Sequence, residues 1–127
     1  MNNLEEFWTV IEVIEKRIQK SVYEKYPNSL KDLKIKTFLK NVHAFSDSFS
    51  KSYIHMVKIM NERSKTMENC SDIQRTFIKK LNDIDRNNLV QLDDFKSFVK
   101  NQVERLNLNL IDVDEVFKDL SLSVPEL

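Results

Sequence analysis

The side chains whose types and spacing could do chemistry lie mainly between residues 83 and 94. Oxygen-bearing side chains recur there, first at alternate positions and then at the end of the stretch: Asp83, Asp85, Asn87 and Asp94. Carboxylate and amide oxygens suit Ca²⁺, a hard cation that takes six to eight oxygen ligands. This stretch therefore predicts one candidate calcium site, and the sequence indicates no other cofactor.

The same stretch resembles the loop of an EF-hand, with oxygen side chains at loop positions 1, 3, 5, 9 and 12. Loop position 6, where that family has glycine, is Asn88, and position 12 is Asp94 in place of the usual glutamate. Lys79 and Asn82 stand where EF-hands carry aromatic side chains. The resemblance implies, as an alternative function, a calcium-binding protein with one degenerate loop over residues 83–94.

The other residues capable of metal or nucleophilic chemistry are isolated. His43 and His55 are too far apart along a helix to share a metal, and Cys70 is the only cysteine. The chain also has no glycine, which phosphate-binding loops, dinucleotide-binding turns and nucleophile elbows all require. We therefore expect a protein that is not an enzyme and has no catalytic residues.

Charge and hydropathy narrow the partners further. Twenty basic and twenty acidic residues give a formal net charge of zero, which argues against a nucleic-acid binder. No apolar run approaches the roughly 18 residues needed to cross a bilayer, so we expect no transmembrane segment. The polar start of the chain does not resemble a secretory signal. We expect an intracellular location, either cytoplasmic or cytoskeleton-associated.

Apolar residues recur at steps of three and four along most of the chain, the spacing typical of amphipathic helices. This pattern predicts helices over about 3–25, 29–68 and 71–106, with a short helix over 113–120. Ser29 and Ser71 are the expected caps of the second and third helices. The serine-rich run over 46–52 is the expected weak point of the second helix, because serine hydroxyls compete for backbone hydrogen bonds.

Long helices joined by short connections pack antiparallel, because each must bury its apolar stripe against the others. The predicted fold is therefore all-α. It is an elongated antiparallel bundle of three long helices plus one short C-terminal helix. Residues 1–120 are expected to form a single domain, and residues 121–127 a C-terminal tail.

The third helix carries the main ambiguity of the sequence. Its apolar positions keep one register from Ile73 through Ile84, Phe95 and on to Leu106, which favours a single continuous helix over a calcium loop. Residues Phe77-Ile78-Lys79-Lys80-Leu81 through Phe95-Lys96-Ser97-Phe98 also loosely resemble the second helix of a BAR-type curved dimer. That resemblance implies a third function, a scaffold on a membrane surface. Separately, the lysines over residues 31–40 and the basic residues over 16–20 predict a small positive patch suited to an acidic partner or an anionic membrane surface.

Apolar side chains also spread beyond a single stripe at two places, where Phe7 adjoins Trp8 and Phe98 adjoins Val99. A helix that is apolar on more than one face usually meets a second neighbour. We therefore expect these four residues to bind a protein partner or a second copy of the chain. The leading functional expectation is a non-enzymatic helical interaction and scaffold module within a larger intracellular assembly.

Overall fold

The computed structural model describes residues 3–28 and 31–125, and within them every regular element is helical. Five helices follow one another: α1 (Asn3–Lys25), α2 (Leu33–Met67), α3 (Asp72–Asn88), α4 (Leu92–Arg105) and α5 (Val113–Val116). α2 is the central element, since it packs against α1, α3 and α4, while α5 packs against α1 and α4. The predicted all-α helical bundle is confirmed.

The hydrophobic core lies between α1, α4 and the first two thirds of α2. α1 buries the stripe that its sequence predicts, Phe7, Ile11, Ile14, Ile18 and Val22. The Phe7 ring stacks on Tyr53 of α2 with a centroid distance of 4.3 Å. α1 ends before Tyr26-Pro27-Asn28 as predicted, because proline cannot continue the helical hydrogen bonding. The core therefore follows directly from the spacing of apolar residues in α1 and α2.

α2 is continuous for 35 residues, about 52 Å, so the break predicted within residues 46–52 is absent. Ser46 and Ser50 are buried, and the Ser50 hydroxyl donates a 2.8 Å hydrogen bond to the Ser46 carbonyl oxygen inside the helix. The hydroxyl is thereby satisfied without breaking the helix. The predicted cap, Ser29, lies outside the described residues. Asp32 caps α2 instead, with its carboxylate accepting from the Lys34 backbone N–H at 2.8 Å.

The predicted single helix over residues 71–106 is wrong, because residues 89–91 interrupt it and separate α3 from α4. Leu89 is extended (ψ 129°) and buried in the main core. The Asp94 carboxylate accepts a 2.8 Å hydrogen bond from the Gln91 backbone N–H and so caps the start of α4. Burial of Leu89 and this cap both favour the interruption. The segment likened to a BAR helix is thus two helices.

α4 ends in a Schellman motif built without glycine. The Leu108 N–H donates to the Val103 carbonyl at 2.9 Å, and the Asn107 N–H donates to the Glu104 carbonyl at 3.3 Å. Asn107 takes the left-handed conformation, with φ 55°, that glycine usually supplies. Asparagine tolerates this conformation better than other side chains do, so a chain without glycine still ends the helix sharply.

The short helix α5 ends at Val116, earlier than the predicted boundary near residue 120. Asp112 caps its start by accepting from the Glu115 N–H at 3.2 Å. Arg17 of α1 donates to the carbonyl oxygens of Val116 and Lys118 at the other end, at 3.0 and 2.7 Å. These contacts fix α5 across one end of the bundle.

An ion-pair network joins α4 to α5. The amino groups of Lys96 and Lys100 lie 2.9 and 3.1 Å from the Asp114 carboxylate. Their hydrogen bonds and positive charges hold the pKa of Asp114 below its ordinary value. Asp114 is solvent-exposed, so the network orients α5 more than it stabilises the fold.

The C-terminal segment is not helical, yet it lies against the bundle. The Tyr53 hydroxyl donates to the Ser123 carbonyl oxygen at 3.1 Å, and Pro125 is buried. Burial, together with the nearby Glu6 carboxylate, raises the pKa of Tyr53 above its ordinary value. The described part of the expected tail, residues 121–125, therefore lies against the core near α1 and α2.

Candidate functional site

The end of α2 and the whole of α3 form a two-helix hairpin beyond the core, here called the projecting hairpin (residues 61–88). None of residues 61–81 is buried, whereas α2 has buried residues throughout its length up to Met60. A capping box starts α3: Ser71 Oγ accepts from the Gln74 N–H, and Gln74 Oε1 accepts from the Ser71 N–H. The capped turn lets the chain reverse direction without help from the core.

Polar side chains hold the two helices of the projecting hairpin together. Arg63 of α2 donates to the Asn82 side-chain oxygen at 3.0 Å and forms an ion pair with Asp85. Asn82 is the one buried residue of α3. Asn82 Nδ2 and Arg86 Nε are buried with no hydrogen-bond partner among the described residues. The inner face of α3 therefore carries polar contacts at Asn82 and Asp85, beside the half-buried Ile78.

The large apolar side chains of α3 instead face solvent. Ile73 is 84% exposed, Phe77 63% and Ile84 56%. At about 100° per residue these three side chains lie within a 40° arc, with the half-buried Leu81 beside them. We call Ile73, Phe77, Leu81 and Ile84 the α3 stripe. Its centre is about 120° around the helix from the face that meets α2.

The interruption at residues 89–91 explains this orientation. In one continuous helix the α3 stripe would point in about the same direction as Phe95 and Val99, which are fully buried. The interruption rotates the inward-facing side of α3 by about a quarter of a turn relative to that of α4. Asn82 and Leu89 therefore face inward in place of Phe77 and Ile84. Three large apolar residues are thus left outside the core.

Two opposite charges flank the α3 stripe on the side away from α2. Lys80 and Asp83 are both exposed, and neither forms an ion pair with another described residue. At the tip of the hairpin, a shallow apolar depression adjoins the stripe and is lined by Thr66, Cys70, Ile73, Gln74, Phe77 and Ile78. The Cys70 thiol donates to the Thr66 carbonyl oxygen, which closes the turn locally. The arrangement is an apolar surface with charged edges.

The four residues predicted to hold calcium are not arranged as a loop. Asp83, Asp85 and Asn87 lie on the helix α3, and Asp94 lies in the first turn of α4. Asp85 is already paired with Arg63, and the Asp94 carboxylate is used as a helix cap. Within residues 3–28 and 31–125, no cluster of three or more His, Cys, Asp or Glu residues could hold a metal ion.

The four residues predicted to bind a partner divide between core and surface. Phe7 and Val99 are fully buried in the core. Phe98 is half-buried and stacks on Phe45 with a centroid distance of 4.3 Å. Trp8 is 50% exposed, beside a shallow groove between α1 and α2. Of the four, only Trp8 presents a large exposed surface.

Sequence reasoning missed the α3 stripe because it interpreted these residues as part of the core. The signal that could have found them is the pair Asn87-Asn88, since asparagine is a poor helix former. An acid three residues after Gln91 adds a possible cap for a new helix. A predicted interruption at this point would have allowed α3 and α4 to turn different sides toward the core.

Comparison with known protein families, with curated proteins and with solved structures finds no match to this chain. Among the described helices, none is both long enough and apolar enough to cross a membrane. The function is therefore inferred from the chain's own core and surface.

The polar contacts of the projecting hairpin make a testable prediction. Asp85→Leu is expected to lower the free energy of unfolding by about 1–3 kcal/mol, because it leaves the charge of the partly buried Arg63 guanidinium without its ion-pair partner. The triple variant Arg63→Met/Asn82→Leu/Asp85→Leu is expected to be as stable as wild type, since it removes every partner together. Urea denaturation followed by circular dichroism measures both values. A triple variant less stable than Asp85→Leu would contradict this account.

Proposed function

We propose that this chain is a non-enzymatic protein–protein interaction module that binds through the α3 stripe. The observation that carries the proposal is the exposure of Ile73, Phe77 and Ile84 on one face of the projecting hairpin. Burying a large apolar side chain is worth about 1.5–3 kcal/mol, and this fold forgoes that gain at three neighbouring positions. Contiguous exposed apolar patches of this kind mark interaction sites in soluble proteins.

The construction of the projecting hairpin supports this role. Its two helices are joined by Arg63, Asn82 and Asp85, so the stripe is not needed to hold the hairpin together. A partner can bind the stripe without unfolding any part of the core. Recognition by a helix presenting anchors at roughly one-turn spacing is a common mode of protein association. The module would act within a larger intracellular assembly, and its single cysteine suits a reducing compartment.

A binding experiment with a matched control tests the proposal. Phe77→Ser/Ile84→Ser removes the centre of the stripe, while Leu33→Ser/Leu110→Ser removes two equally exposed apolar side chains outside the projecting hairpin. Tagged wild type and both variants are used to retain proteins from an extract, with circular dichroism confirming that all three are folded. The stripe variant is expected to retain at least tenfold less protein from the extract than wild type does. The control variant is expected to retain as much as wild type. Equal retention by all three would overturn the proposal.

A further inference from the structure

We propose that the partner of the α3 stripe is a second copy of this chain, with the two α3 helices packed antiparallel about a twofold axis near Leu81. This inference rests on the proposed function, because it names the occupant of the same surface. In this register Phe77 of one copy lies opposite Ile84 of the other, and the two Leu81 side chains meet at the axis. Phe77, Leu81 and Ile84 of the two copies thus cover one another, and Ile73 lies at the end of the contact, opposite residue 89 of the other copy.

Charge complementarity favours an antiparallel second copy of the chain as the partner of the α3 stripe. In an antiparallel helix pair related by a twofold axis, the same flank of each helix meets its own copy. Lys80 and Asp83 share the flank that points away from α2, and both are exposed and unpaired among the described residues. Antiparallel packing about Leu81 places Lys80 of each copy opposite Asp83 of the other, so two equivalent ion pairs form. A parallel pair about a twofold axis would instead set this flank against the opposite flank of the partner helix, so Lys80 and Asp83 would not meet.

The shape of the molecule also fits an antiparallel pair. The core lies beyond the C-terminal end of α3, so antiparallel packing places the two cores at opposite ends of the pair. α3 extends about 13 Å from Leu81 to its tip, which brings the tip of one hairpin close to residue 90 of the other copy. Each projecting hairpin is therefore long enough to pair from Phe77 to Ile84, with its tip beside the C-terminal end of the other copy's α3.

The size of the surface sets the expected strength. One face of a 17-residue helix is about 25 Å long and about 10 Å wide. Two such faces amount to about 500 Å², well below the roughly 1,200 Å² at the lower limit of specific protein interfaces. We therefore expect a weak, reversible dimer that forms only at high protein concentration.

Charge exchange at Lys80 and Asp83 tests the pairing, by sedimentation equilibrium of the purified full chain from about 5 to 500 μM. Lys80→Glu alone and Asp83→Lys alone each place like charges opposite each other, and each is expected to weaken the dimer at least tenfold. An equimolar mixture of the two variants restores both ion pairs, so its mass is expected to return to that of the wild-type dimer. Lys79→Glu, on the far side of α3, is the matched control and is expected to dimerise as wild type.

Each remaining outcome overturns a stated part of the account. A wild-type monomer at 500 μM overturns the second copy as partner. If extract binding still depends on Phe77, a different protein occupies the stripe and the proposed function stands. If that binding is also absent, the proposed function fails as well. A wild-type dimer whose charge-exchanged mixture stays monomeric overturns antiparallel pairing through α3.

Discussion

Replacing Phe7 by alanine is expected to lower the free energy of unfolding by about 3–5 kcal/mol. Phe7 is fully buried, and its ring lies 4.3 Å from Tyr53 and 5.6 Å from Phe49, centroid to centroid. Truncation removes the transfer free energy of the ring and leaves a cavity where α1 meets α2. Since domains of this size are stable by about 5–15 kcal/mol, the loss is a large fraction of the total. Urea denaturation followed by circular dichroism measures it.

The neighbouring residue Trp8 is the control for Phe7. Trp8 is 50% exposed and contacts Phe7 edge to face at 5.4 Å, so Trp8→Ala is expected to cost only about 1 kcal/mol. If Phe7→Ala does not fold, Phe7→Leu is expected to show a smaller loss of the same sign. Equal losses for the Phe7 and Trp8 variants would contradict the orientation of α1.

Replacing Phe95 by alanine is expected to have a similar effect, about 3–5 kcal/mol. The Phe95 ring is fully buried among Phe45, Phe49 and Phe117, with centroid distances of 5.3, 5.8 and 5.6 Å. It joins α4 to α2 and to the segment that follows α5, so its removal loosens three parts of the bundle at once. Thermal or urea unfolding of the variant against wild type gives the change.

Phe98, one turn further along α4, is the control for Phe95. Phe98 is half-buried and stacks mainly on Phe45, so Phe98→Ala is expected to cost about half as much as Phe95→Ala. A larger loss for Phe98 than for Phe95 would show that α4 presents its other face to the core. That result would also contradict the conclusion that α3 and α4 turn different sides of the helix toward the core.

The sequence alone predicts α1 almost completely, because its apolar stripe is unbroken and Pro27 ends it. The prediction fails at residues 89–91, since the apolar register continues across the interruption and outweighs the local signal of Asn87-Asn88. Leu89 leaves the helix because the core buries it, and that burial depends on contacts with residues distant in the sequence. Tertiary packing thus overrides a pattern that is locally consistent with one helix.

The candidate site was less predictable than the fold for a related reason. An apolar residue at helical spacing is read as core, so Phe77 and Ile84 are grouped with Phe95 and Val99 in the sequence. Only the position of the interruption separates exposed members of this register from buried ones. Phe7 and Val99 show the reverse case, since side chains predicted to bind a partner are fully buried. Sequence pattern identifies the apolar residues, and packing decides which of them remain available to a partner.

We propose that the α3 stripe is a binding surface that the fold itself does not need. The most direct measurement is the free energy of unfolding of Ile73→Ser/Phe77→Ser/Ile84→Ser against wild type, at a protein concentration too low for association. We expect a difference of about 1 kcal/mol or less, because all three side chains are more than half exposed. A loss of several kcal/mol, comparable to that of Phe7→Ala, would instead place the stripe in the core and overturn the proposal.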